Sequence, residues 1–173
     1  MHVGATTVIY SRTMEWLRAS LVIQFLLAVY FQAILWFRLG AWNDQSGKRL
    51  LETAEDGHAG IAIAFALLFF LPFLLFAVAF WKHLLWLMWV GVVGYSIWAI
   101  MQIQSWWIPW IVGPNSHAQA NQEALRRTYK FFPESLQHPA PDAMHFTLDM
   151  LLFAALITLF VGLLRTVLKP END

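Results

Sequence analysis

Residues 141–168 read PDAMHFTLDMLLFAALITLFVGLLRTVL, and between Ala143 and Leu168 the only charged residues are Asp149 and Arg165. At about 1.5 Å per residue such a run crosses the roughly 30 Å hydrocarbon core of a bilayer. Asp142, His145 and Asp149 stand at i, i+3 and i+7, so a helix beginning near Asp142 carries all three on one face. That face is unusual for a membrane helix. An unpaired carboxylate near the start of a span costs about 2 to 3 kcal/mol, so Asp149 requires water or a partner.

The rest of the chain has the same character. Its 173 residues are 59% hydrophobic and only 13% charged, too little polar surface for a soluble domain of this size. Eleven basic and eleven acidic residues cancel, so no general attraction for nucleic acid follows. The absence of cysteine excludes disulfides, thiolate metal sites and a cysteine nucleophile, which leaves His, Asp, Glu, Met and backbone oxygen as possible ligands.

Working backwards from residue 141, hydropathy and punctuation predict an all-α polytopic membrane protein. Four transmembrane helices, at residues 14–37, 58–80, 84–107 and 143–168, form a bundle as one domain over 1–173. Trp81, Lys82 and His83 leave room only for a tight turn between the second and third spans. Gly60 with Ala64 and Ala62 with Ala66 have the small-xxx-small spacing that lets helices approach, and Pro72 is expected to kink the second span. SWWIPW at 105–110 reads as an interfacial aromatic belt followed by a proline stop. Between the third and fourth spans, Ser116 and Gln119 fit a capping box, and a surface helix is expected over 116–132. The long loops hold a small excess of acidic residues and the terminal side a small excess of basic ones. This favours termini on the cytoplasmic side of a plasma (inner) membrane, with the loops outside.

That topology starts the second and fourth spans at the same leaflet. Glu55 and His58 stand at i, i+3, as do Asp142 and His145, so two carboxylate–imidazole pairs can converge as candidate metal ligands. Di-iron and di-manganese carboxylate bundles use paired Glu-x-x-His motifs for this geometric reason. Zinc, iron or manganese suits the donors, and Met144 and Met150 leave copper open. Glu52 and Asp149 are the candidates for proton handling, and Gln32 and Gln102 for anchoring a cofactor or ligand. Acids in a first helical turn are also favoured by the helix dipole without any ligand.

No P-loop, dinucleotide fingerprint, Gly-x-Ser-x-Gly elbow or His-Glu-x-x-His helix occurs. The expected function is an outward-facing His/carboxylate site for a divalent metal or a lipophilic small molecule. As an enzyme, it would run metal-assisted redox or hydrolytic chemistry on a lipophilic substrate. Two rival readings fit the same features. One is a non-catalytic subunit or assembly partner of a membrane complex or homo-oligomer, and the other is a small-molecule sensor or carrier.

Overall fold

The structure, a computed structural model, describes residues 3–37, 39–43, 57–113, 125, 127–135 and 137–168. The described residues are helical without strands, and four helices are long and apolar enough to cross a membrane. Helix α1 is Val3–Trp36, α2 is Ala59–Trp81 and α3 is Leu85–Gln102; a π turn at Ile103–Trp107 joins α3 to α4, Ile108–Val112, and α5 is Ala143–Val167. Glu52, Glu55 and the capping box at Ser116 and Gln119 lie outside the described residues.

Three features extend or alter what was expected. The first span, Met14–Trp36, starts at the expected residue, but its helix α1 continues back to Val3 because nothing from Ala5 to Thr13 breaks the backbone ladder. The third span runs through Pro109 to Val112. Proline lacks an N–H and crowds the carbonyl four residues back, but here the ladder has already widened: Ile108 N–H bonds to Ile103 O, five residues earlier. Gly113, at φ 122, then ends the span in a conformation that side chains rarely adopt. The third difference is the loop helix expected over 116–132, which is absent from its described part at 125 and 127–132. There Thr128 folds back on the Leu125 carbonyl through its own N–H and hydroxyl, and Lys130 makes an antiparallel bridge with Asp142. Side-chain competition and long-range pairing outweigh local helix propensity.

The packing is asymmetric. Helix α5 is the most buried span and lies chiefly against α1 and α3, whereas α2 packs against α1 and α3 and is the least buried. Leu148, Leu152, Ala155, Leu159 and Leu163 of α5 form a buried stripe at three- and four-residue intervals. A polar seam crosses it: Tyr95 OH donates to Gln24 Oε1 at 2.8 Å, and Gln24 Nε2 to Ser20 Oγ at 2.9 Å. Ser20 Oγ approaches the Ala155 carbonyl at 3.5 Å, so α3, α1 and α5 are linked in mid-span. On the loop side Asn43 caps α1, its Nδ2 donating to the Ile34 and Phe37 carbonyls. Trp42 Nε1 donates to Tyr30 OH, which donates to the Met144 carbonyl and so fixes the end of α1 on the start of α5.

Lipid offers helices no hydrophobic drive to associate, so close packing must do it. Gly162 is the tightest point: a Cβ there would lie 2.7 Å from Leu17 Cδ2 and 3.1 Å from its Cγ. Gly60, expected from its spacing to admit a neighbour, instead faces open space. Gly162→Leu is expected to lower stability by about 1–3 kcal/mol in detergent melts followed by circular dichroism. Gly60→Ala is expected to leave it unchanged or slightly higher, and equal melting of both variants would contradict this packing.

Candidate functional site

The loop-side ends of α3 and α5 meet around Asp149, which is fully buried. Its carboxylate is held from both sides: Gln102 Nε2 donates to Oδ1 at 2.8 Å and Trp107 Nε1 to Oδ2 at 2.7 Å. Both donors suit an ionised carboxylate, which can only accept. The partner that Asp149 requires is therefore α3, with one bond from either end of the π turn.

Two turns earlier, Asp142 is the N-cap of α5. Its Oδ1 accepts the His145 backbone N–H at 2.8 Å and also contacts His145 Nδ1 at 2.7 Å. The second contact makes Nδ1 the protonated nitrogen when the ring is neutral, and leaves Nε2 as the free lone pair. Trp106 lies over the imidazole, with ring centroids 3.9 Å apart and planes at 32°. Asp142 is itself buried, and its Oδ2 has no hydrogen-bond partner among the described residues.

Aromatic rings close the surroundings. Trp107, Trp110, Phe132 and Phe146 pack on one another at centroid distances of 4.8–6.2 Å. The chain crossing above them is fastened by its backbone, with Tyr129 N–H donating to the Ala41 carbonyl and Ala143 N–H to the Tyr129 carbonyl, both at 2.7 Å.

The other candidates are placed differently. Gln32 turns to α2, where Nε2 donates to the Ala66 carbonyl at 2.9 Å while Oε1 accepts from Trp36 Nε1. His58 is exposed in the π turn that opens α2, a helix that packs mainly on α1 and α3. Among the described residues no group of three or more His, Asp and Glu side chains could hold a metal. Asp142 Oδ1 is directed to the His145 ring, which it orients through Nδ1.

Trp106 and Trp107 are the site residues that sequence reasoning missed. Gln102 and Trp107 stand five positions apart, well off a common face of a 3.6-residue helix but close to one face of a π turn. The unused signal was a proline two residues beyond a pair of tryptophans in an otherwise uninterrupted span.

No protein-family model matches the chain, and neither a curated protein nor a solved structure matches it. The geometry itself makes a test. Asp149→Leu orphans two buried donors and is expected to cost about 1–3 kcal/mol for each. Asp149→Asn, which keeps one acceptor oxygen, should cost less. Loss of the near-ultraviolet dichroism of Trp107 should accompany the Leu variant, and full stability with an unchanged spectrum would remove Asp149 from its assigned role.

Proposed function

We propose that the chain is a multi-pass integral membrane protein, a four-helix bundle with cytoplasmic termini in a plasma (inner) membrane. In this reading its outward-facing mouth binds a lipophilic small molecule through His145. The observation that carries the reading is the Asp142–His145 pair: a half-buried imidazole fixed at Nδ1, roofed by Trp106, and unengaged at Nε2 among the described residues. An imidazole so fixed offers one lone pair in one direction. The aromatic surroundings favour an apolar molecule that carries a single hydroxyl or amide donor.

If the site is also catalytic, proton transfer belongs to His145, because Asp149 is fully buried whereas the His145 side chain is partly exposed. Asp149 then fixes the α3–α5 register behind the reacting group.

A divalent metal is the second reading, favoured by the carboxylate behind Nδ1, which is the usual setting of a metal-bound histidine. His145 Nε2 is the ligand in this reading, with Glu52 and Glu55 as the further acidic candidates that the sequence offers. Zinc, iron, manganese and copper all accept imidazole.

Imidazole 15N NMR of detergent-purified protein, with metal content measured on the same sample, separates these readings. The lipophilic-ligand reading expects His145 as the Nδ1–H tautomer without stoichiometric metal, and a loss of that tautomer preference in Asp142→Asn. Stoichiometric metal that disappears in His145→Ala but persists in His58→Ala moves the assignment to the metal. A tautomer indifferent to Asp142→Asn defeats both.

A further inference from the structure

A cavity of about 270 Å³ lies between α2 and α3, away from the Asp142–His145 pair, on the side of these helices joined by the tight turn. Pro72, Leu75, Val90, Gly91, Gly94 and Trp98 line it together with neighbouring apolar side chains. Its depth comes from the glycines: no atom lies within 4 Å of where a Gly94 Cβ would stand, and at Gly91 a Cβ would make only an ordinary contact, 3.6 Å from Leu159. Tyr95 contributes a ring wall, stacked on Trp98 with planes at 22°, while its hydroxyl turns away to Gln24. The wall is therefore almost wholly hydrocarbon and aromatic carbon.

We infer that this groove holds one acyl chain of a bilayer phospholipid whose phosphate sits beside Lys82. The first argument is length. From Leu87 to Trp98 a helix rises about 16 Å, close to half of the roughly 30 Å hydrocarbon core, which is the reach of a single chain within one leaflet. At about 30 Å³ per water-sized group the cavity takes on the order of nine methylenes, so it seats part of such a chain and leaves the rest in the bilayer.

The third argument is charge and anchoring at the turn between the two helices. Lys82 and His83 are exposed in the turn, flanked by the exposed indoles of Trp81 and Trp86. Indoles at this position mark the headgroup level, and an ammonium there attracts a phosphate. A partner helix fits less well. Close helix approach needs small residues along the contact line, but here the glycines stand beside the exposed, branched Leu75 and Val90.

The test uses full-length protein in phosphatidylethanolamine/phosphatidylglycerol vesicles doped with a phospholipid carrying a mid-chain diazirine. Photolabelling followed by peptide mapping is expected to be several-fold denser at Leu75, Val90 and Gly94 than at Ile157, which is exposed on α5. Gly94→Leu should lower groove labelling several-fold and leave Ile157 unchanged, while Gly94→Ala should give a smaller fall with less risk to folding. Lys82→Ala should reduce the lipid retained on detergent extraction, read by native mass spectrometry. Groove labelling no denser than at Ile157, or unaffected by both Gly94 variants, overturns the proposal. So does a dimer that Gly94→Leu dissociates without changing the labelling, since the occupant would then be a second helix. His145→Ala should leave every one of these readouts unchanged.

Discussion

A carboxylate inside a membrane helix must be answered, and the answer given to Asp149 organises the loop-side half of the molecule. Two N–H donors reach it from the third span, Gln102 at the end of α3 and Trp107 in the π turn, one on each oxygen. A regular helix would direct Gln102 and Trp107 to well-separated sides, so the widened turn at Ile103–Trp107 is the local structure that lets one buried acid take both. The same turn brings Trp106 over His145 and carries the chain past Pro109. Charge satisfaction, helix continuation and imidazole placement thus share one irregularity of the backbone. Irregular ladders of this kind persist where tertiary contacts support them, and here the contact is a buried carboxyl group's need for donors.

The two halves of the spans are held by different means. Towards the loops, directional hydrogen bonds dominate: Asn43 on the end of α1, Trp42 to Tyr30 to Met144, and the pair of bonds on Asp149. Towards the termini, shape dominates, with Leu17 seated on Gly162 and the leucine stripe of α5 against its neighbours. The seam from Tyr95 through Gln24 to Ser20 lies between these regimes. Helix α2 takes little part in either. Its main polar tie to another span is Gln32 on the Ala66 carbonyl, and most of its described side chains face outward. A helix so loosely integrated leaves a groove on its α3 side without strain elsewhere.

Much of this was legible in the sequence, for identifiable reasons. Apolar run length placed the four spans to within a few residues at most ends, because the bilayer imposes that length directly. Asp149 announced its need for a partner, since a charge in hydrocarbon cannot be silent. The identity of the partner was only half legible: Gln102 stood out as an amide in a span, whereas Trp107 resembled the ordinary interfacial tryptophans around it. Pro109 read as a stop because the usual rule presumes a 3.6-residue ladder in front of it. Lys130 and its neighbours read as helix because propensity is local, while the bridge to Asp142 joins residues twelve positions apart. The spacing at Gly60 and Ala64 is a necessary condition for close packing and not a sufficient one.

Asp142 is the residue whose chemistry exceeds its structural duty. As an N-cap it needs one oxygen on one backbone N–H, which Ser, Thr or Asn would supply without burying a charge. The helix dipole favours a carboxylate there by about 0.3–1 kcal/mol at exposed positions. Asp142 Oδ2 has no partner among the described residues, and a buried acceptor left so costs about 1–3 kcal/mol, more than the dipole returns. The balance must come from Oδ1, which serves the His145 backbone and ring together. One oxygen thus does two jobs, capping the helix through the His145 N–H and fixing the ring through Nδ1.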